Sequence, residues 1–248
     1  MTRQQLFWRA MIVVLALTGG GGLAWLAMKG QSPVLDSQGC PTSQMPPAHV
    51  DVLIDNSDPF DQASAMWATN LLKEAALDLP RYGRIRVISL GIEDPHVEFE
   101  HCSPGSPRHV DAWNQGERTV RKEWTSQLGD PIEEIATKIL TRPAISRSPI
   151  IEAIGDISRD YSFVSDQGPH KIILISDLTQ NSAKYSVVHR WPSWSTFEHT
   201  ALASDIPELK GVLIEIHLVR RRQAPAPGQL KAFWTRWGHE AGGNVLFK

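Results

Sequence analysis

The sequence predicts an α/β fold with a doubly wound, mostly parallel sheet, preceded by one transmembrane helix. Apolar runs of strand length alternate along the chain with stretches of helical spacing, which is typical of parallel strands joined by right-handed crossovers. Two of these runs end in a carboxylate: Asp55 follows His49–Ile54, and Asp177 follows Lys171–Ser176. Open α/β sheets bind ligands outside the carboxyl ends of their strands, so the two Asp residues are candidates to share one ligand or cation.

The segment Ala10–Met28 has the pattern of a membrane anchor. It contains no charged residue, and as a helix it is just long enough to cross the hydrocarbon core of a bilayer. Arg3 and Arg9 precede it, so the positive-inside rule predicts that residues 1–9 are cytoplasmic and that the rest of the chain is periplasmic or extracellular. A cleaved signal peptide is the alternative, but the Ala-x-Ala pattern of a cleavage site is missing after the apolar run.

Two cysteines, Cys40 and Cys102, predict one disulfide in an exported domain. Residues 29–47 are rich in Ser, Pro, Gln and Gly and are predicted to be a linker to the exported domain of residues 48–248. Cys102 follows Val97–His101, which has the pattern of an edge strand. The bridge would therefore tie the linker to the margin of the sheet, and two free thiols are the alternative.

The elements of the exported domain follow from periodicity and from the residues that break it. The strands are predicted at Val50–Ile54, Arg84–Leu90, Val97–His101, Lys171–Ser176, Gly211–Val219 and Gly242–Phe247. The helices are predicted from about Pro59 to Leu79, over Glu117–Leu140 with an interruption near Gly129, over Pro149–Arg159, and around the stripe Leu230, Phe233, Trp234 and Trp237. Ser57 or Asp58 is predicted to cap the first helix, and Met66 and Trp67 belong to its apolar spacing.

Residues 48–248 resemble the von Willebrand factor type A (VWA) domain, whose sheet is of this Rossmann-like type. The metal-ion-dependent adhesion site of that family begins with Asp-x-Ser-x-Ser after the first strand, and a Thr on a later loop and an Asp after the fourth strand complete it. Asp55 and Ser57 match the first two motif positions, and Asp177 matches the later Asp. Ser148 stands where the Thr is expected, and Pro59 replaces the second Ser.

The resemblance implies a site for Mg²⁺ or Mn²⁺ built from Asp55, Ser57, Ser148 and Asp177. Such hard cations prefer oxygen ligands and leave a position for an incoming carboxylate, here one from a partner protein. Because Pro59 offers no hydroxyl, the implied binding is weak or absent. The alternative role of Asp55 and Asp177 is to cap helices and to accept hydrogen bonds from turn amides.

Aromatic residues soon after Asp177 form a second candidate contact. Trp191 and Trp194 lie where the loops of the carboxyl edge are expected, and clustered aromatic side chains can anchor a partner protein. Packing over the sheet edge is the alternative.

The predicted function is a membrane-anchored protein-binding module, assisted by a divalent cation, with no nucleic acid and no small-molecule cofactor. Twenty-five Lys and Arg stand against 27 Asp and Glu, and the pI is near 6.5, so the basic face of a nucleic-acid-binding protein is not expected. The sequence lacks Gly-x-Ser-x-Gly, the phosphate-binding Gly-x-x-x-x-Gly-Lys loop and His-Glu-x-x-His, so no enzyme is predicted. The alternative is a haloacid-dehalogenase-like phosphatase with Asp55 as nucleophile, although Ser57 stands where its general acid is required.

Overall fold

The structure is a computed structural model that describes residues 33–90, 95–110, 116–166, 168–188, 192–220 and 225–248. Residues 35–248 form one compact unit. The anchor predicted at residues 10–28 lies outside the described residues. None of the helices in the described part of the chain has the length and apolar character that crossing a bilayer requires.

A six-stranded mixed sheet forms the centre of the unit, in the order β3-β2-β1-β4-β5-β6. The strands are β1 (His49–Ile54), β2 (Arg84–Ser89), β3 (His96–Cys102), β4 (His170–Ser176), β5 (Leu213–Leu218) and β6 (Asn244–Phe247). Every neighbouring pair is parallel except β2–β3, so β3 is an antiparallel edge strand. The prediction of a mostly parallel sheet is confirmed.

Helices cover both faces of this sheet, as in a doubly wound fold. They are α1 (Gln62–Leu77), α2 (Glu117–Trp124), α3 (Asp130–Leu140), α4 (Ile150–Arg159), α5 (Tyr161–Ser165), α6 (Trp194–Phe197) and α7 (Pro227–Glu240). One core joins the sheet to α1 and α3, and the other joins it to α4 and α7. Strand β1 lies between both cores and all six of its residues are buried. Its position in the middle of the sheet carries Asp55 to the centre of the carboxyl edge.

The predicted cap and the apolar stripe of α1 were both wrong. Asp61, not Ser57 or Asp58, accepts a hydrogen bond from the amide of Ser64 at 2.7 Å and caps the helix. The amide of Ser57 donates instead to Asp55, which holds residues 55–57 in a turn before the helix can begin. The buried face of the helix is formed by Ala68, Leu72 and Ala76. Met66 and Trp67 are therefore 61% and 41% exposed.

The interruption predicted near Gly129 is a turn of π-helix, Thr125–Gly129, which joins α2 directly to α3. Gly129 is buried, and a Cβ atom there would lie 2.8 Å from the Trp124 ring. A single wider turn of helix thus lets α2 and α3 follow each other without a loop.

The disulfide between Cys40 and Cys102 is present, as predicted. Both cysteines are 1% exposed. The amide of Cys102 also donates to the carbonyl of Gln38 at 2.8 Å, so the bridge and a backbone bond together hold residues 38–40 against the end of β3. Residues 35–47, expected as the end of the linker, belong to the compact unit.

A buried ion cluster, which the apolar strand pattern did not predict, lies at the amino ends of β1 and β2. Arg86 donates from Nε and Nη2 to the two carboxylate oxygens of Asp51 at 2.6 and 2.9 Å. The ring of His49 lies between two carboxylates, with Nδ1 2.8 Å from Asp166 and Nε2 3.1 Å from Asp51. Arg84 reaches Asp166 at 2.7 Å from the neighbouring strand.

Hydrogen bonds set the charge states of this cluster. Burial alone would lower the pKa of His49, but its bonds to Asp166 and Asp51 outweigh burial and raise that pKa. Burial alone would raise the pKa of Asp51, and the bonds from Arg86 and His49 lower it instead. Because both ring nitrogens face carboxylates, His49 is held as an imidazolium that donates twice.

Candidate functional site

Asp55 ends β1 and collects hydrogen bonds from three separate segments of the chain. Its backbone amide donates to the carbonyl of Ile175 in β4, which fixes where the carboxylate emerges from the sheet. One carboxylate oxygen accepts from the amide of Ser57 at 3.0 Å. The other accepts from the hydroxyls of Ser148 at 2.8 Å and Ser176 at 2.6 Å. The side chain is thus oriented by neutral donors alone among these contacts, and Asp55 is only 3% exposed.

Asp177 follows β4 and lies beside Asp55 at the same edge. One of its oxygens accepts from the amide of Thr179 at 2.8 Å, across a turn in which Leu178 takes a left-handed φ of 66°. Burial and the negative charges of Asp55 and Asp58 raise the pKa of Asp177 to about 6. A carboxyl group with that pKa is still mostly ionised at pH 7, and its charge is held at a cost that a cation can relieve.

The four predicted metal-site residues occupy three loops of this edge. The hydroxyl of Ser148 contacts Asp55 directly, whereas Ser57 does so through its backbone amide. Asp177 faces the negative charge of Asp55. Pro59, which replaces the second Ser of the motif, lies in the same loop as Ser57, before the cap of α1.

Ser176 is a member of the site that the sequence analysis missed. It is the last residue of β4, and its hydroxyl donates to Asp55 while accepting the amide of Leu178 at 2.8 Å. The pairing of parallel strands could have indicated it. Ile54 pairs with Ile175, so the next residues, Asp55 and Ser176, lie side by side at the edge of the sheet.

One buried polar atom near the carboxylates, Oδ1 of Asn56, has no hydrogen-bond partner within the described residues. Buried oxygens of this kind are normally satisfied by protein or water. Asn56 directly follows Asp55, so the edge holds a spare acceptor oxygen beside its carboxylates.

The loop that carries Ser148 is held in place by a second buried residue. Gln180, which is fully buried, accepts the amide of Ile151 at 2.9 Å and donates to Glu152 at 2.8 Å. Ser148 and Asn181 also exchange backbone hydrogen bonds at 2.9 and 2.8 Å. These contacts join the loop after β4 to the start of α4, so the Ser148 hydroxyl is presented to Asp55 from a rigid support.

The chemical type of the oxygen atoms at this edge suits a hard cation. These atoms are carboxylate and hydroxyl oxygens, which Mg²⁺ and Mn²⁺ prefer, and two acidic residues share one edge. Within the described residues there is no cluster of three or more His, Cys, Asp or Glu side chains arranged to hold a metal ion. Any cation at this edge would therefore depend on hydroxyl groups and on a ligand from outside the chain.

The predicted aromatic contact is only partly described. Trp191 lies outside the described residues. Trp194 is half-buried on α6, with its ring 5.2 Å from Phe197 and the guanidinium of Arg236 lying 4.4 Å from its centre. An open cavity of about 650 Å³ lies beside this helix, lined by Tyr185, Thr196 and Thr200 among others. Trp194 therefore packs partly against the core, while Thr196 on the same helix faces the cavity.

Comparisons with known proteins find similarity among solved structures alone. No family model matches it, and no curated protein matches it in sequence. Among solved structures, it is similar to a conserved hypothetical protein, BatB, from Bacteroides thetaiotaomicron, with 13% identity, a TM-score of 0.43, and coverage of 82% of this chain and 90% of that one. It is also similar to an aerotolerance-related membrane protein from Bacteroides fragilis, with 13% identity, a TM-score of 0.40, and coverage of 82% and 91%.

Proposed function

We propose that residues 48–248 form a protein-binding module, anchored to a membrane through residues 10–28, whose contact with its partner is centred on Asp55 and Asp177. The observation that carries this proposal is the pairing of two buried carboxylates at the open edge of the sheet with hydroxyl and amide donors. A buried carboxylate with no opposite charge is costly, and proteins retain such groups where a ligand supplies the missing charge.

The missing charge is proposed to be a divalent cation, Mg²⁺ or Mn²⁺. Asp55, Ser57, Ser148 and Asp177 would hold it, and an Asp or Glu of the partner protein would complete its shell. Such a cation supplies a positive charge that links acidic groups on the two proteins. Because Pro59 provides no hydroxyl, we expect weak binding of the cation by the chain alone and stronger binding when the partner is present.

The test is the melting temperature of the full-length protein with and without millimolar Mg²⁺ or Mn²⁺. A cation that binds only the folded state raises the melting temperature by mass action. Asp55→Ala should abolish the increase, since it removes the carboxylate that Ser57, Ser148 and Ser176 position. Asp205→Asn is the matched control, because Asp205 is a largely exposed carboxylate that lies 3.6 Å from the guanidinium of Arg159.

Three results separate the proposals. An increase that Asp55→Ala abolishes and Asp205→Asn leaves intact supports a cation held by this site. A melting temperature that responds to neither cation nor EDTA overturns the cation. If a partner captured by crosslinking then remains bound in EDTA but is lost with Trp194→Ala, binding occurs through the aromatic surface and not through Asp55.

A further inference from the structure

Within the described residues, the outer edge of β6 presents backbone groups that pair with no other strand. The amides of Asn244 and Lys248 donate to the carbonyls of Val212, just before β5, and Ile216, within it, at 2.9 and 3.0 Å. Successive residues of a strand direct their amide and carbonyl groups to opposite sides. Those of Val245 and Phe247 therefore point away from β5, to the outside of the sheet.

The side chains of β6 are apolar on both faces. Val245 and Phe247 pack towards the core beneath α7. Leu246 points to the opposite face and is 40% exposed. An edge strand with apolar side chains and free backbone groups is a template for pairing with another strand.

The other edge of the same sheet is built to prevent such pairing. Strand β3 carries charged side chains at Glu98 and Glu100, and its pairing with β2 shifts register between Val87 and Ile88. Its end is covered by residues 38–40 through the disulfide and the bond from Cys102 to Gln38. Charges, irregular pairing and a covering segment are the usual protections of an edge strand, and the described part of β6 shows none of them.

We propose that β6 pairs antiparallel with β6 of a second copy of this chain, about a two-fold axis that passes by Leu246. With Leu246 on the axis, Val245 lies opposite Phe247 of the second copy. Both residues have outward amides and carbonyls, so each such pair exchanges two hydrogen bonds and the interface contains four. Leu246 faces Leu246 of the second copy at the closely spaced position between them.

The strand is self-complementary in this register, and this is why a second copy is the occupant. Apolar side chains meet apolar side chains on both faces, and Asn244 lies opposite Lys248, so no like charges are opposed. A strand from a different protein would need the same order of apolar and polar side chains to match β6 equally well. The two sheets would continue into one sheet of twelve strands, and the carboxyl edges that carry Asp55 would point in opposite directions.

The test is symmetric disulfide crosslinking of the full chain with Leu246→Cys. Cβ atoms of closely spaced antiparallel pairs lie about 4.5–5.5 Å apart, near the range that a disulfide bridges. Mild oxidation should therefore give a covalent dimer on a non-reducing gel. The natural pair Cys40–Cys102 does not interfere, since it is already joined and buried. The matched control is Glu134→Cys, an exposed position on α3, which packs towards the β3 side of the sheet.

A crosslink at position 246 and not at position 134 supports the pairing. Equal crosslinking at both positions, or none at 246, overturns it, including the case in which copies associate through residues 1–32. Leu246→Asp provides the second arm, because two carboxylates would face each other on the axis. In sedimentation of the full chain it should weaken dimerisation about tenfold or more, whereas Leu246→Thr should not. An unchanged sedimentation profile with Leu246→Asp contradicts the proposal.

Discussion

The two ends of β1 hold carboxylates in opposite circumstances. At the amino end, Asp51 is buried and receives two hydrogen bonds from Arg86 and one from His49, so its pKa is lowered. At the carboxyl end, Asp55 and Asp177 are as deeply buried but receive only hydroxyl and amide donors, and the pKa of Asp177 is raised to about 6. The amino end of β1 thus holds a carboxylate whose charge the fold neutralises, whereas the carboxyl edge formed by β1 and β4 holds carboxylates that receive no positive partner among these contacts.

This difference separates a structural cluster from a candidate site more clearly than burial does. A buried charge that the protein neutralises contributes to the specificity of the fold, and its loss is felt as instability. A buried charge that the protein does not neutralise destabilises the fold, and its removal is felt as a gain in stability. Removing the positive partner of Asp51 and removing the charge of Asp177 are therefore expected to change the free energy of unfolding in opposite directions.

The largest effect is expected from Arg86→Met. It leaves Asp51 buried and charged without its main partner, which should lower the free energy of unfolding by about 3–5 kcal/mol. Chemical denaturation monitored by circular dichroism measures the change. Arg121→Met removes an exposed pair on α2 and should change stability by less than about 1 kcal/mol. Equal losses in the two variants would show that the amino-end cluster is not stabilising.

Asp177→Asn is expected to act in the opposite direction. Asn keeps the acceptor for the Thr179 amide but removes the buried charge, so at pH 7 the cation-free protein should gain on the order of 2–3 kcal/mol. The pKa of Asp177 is higher in the folded than in the unfolded state. The stability gained by the variant should therefore increase as pH rises from 3.8 to about 6, and it should be absent below pH 3.8. A variant less stable than the wild type at pH 7 would contradict the uncompensated charge.

The protein should become less stable when either of the hydroxyl groups that donate to Asp55 is removed. Ser148→Ala and Ser176→Ala each leave a carboxylate oxygen with one donor fewer, at a cost of about 1–2 kcal/mol. Ser57→Ala is the matched control, because Ser57 contacts Asp55 through its amide, and it should cost less than about 0.5 kcal/mol. Thermal unfolding without divalent cations compares the three. Equal losses would mean that the hydroxyls do not orient Asp55.

The smallest effect is expected from the titration of His49. Its folded pKa is raised, so the stability that it contributes is complete below the unfolded value of 6.5 and is lost as pH rises through the folded pKa. His49→Gln should remove this dependence without changing the acid side, where Asp177 titrates. The measurement is the free energy of unfolding between pH 6 and pH 9. A wild-type curve parallel to that of the variant would show that His49 does not carry the proton.

The sheet and the two Asp residues at strand ends could be predicted from the sequence, because strand-like and helical segments alternate along the chain of a parallel α/β fold. Ser148 could be placed only through the resemblance, since nothing in its own spacing links it to Asp55. The amino-end cluster was missed although a signal was present: His49 and Asp51 recur two residues apart in one strand, and Arg84 and Arg86 do so in the next. Charges repeated on one face of two adjacent buried strands indicate cross-strand pairs, here in register.

The start of α1 could not be predicted for a different reason. Ser57, Asp58 and Asp61 are all acceptable caps, and local propensity does not distinguish them. The choice depends on the turn that Asp55 imposes by accepting the Ser57 amide, which in turn depends on the loops that bring Ser148 and Ser176 to the same carboxylate.

The disulfide between Cys40 and Cys102 also has a mechanical consequence. Strands β1, β2 and β3 and helix α1 all lie within the loop of chain that this bridge closes, 62 residues apart in sequence. A tensile force applied to the chain before Cys40 passes through the bridge to the end of β3 and bypasses β1. The strand that carries Asp55 is therefore not peeled from the sheet by a pull from that side, because covalent bonds at the sheet margin carry the load.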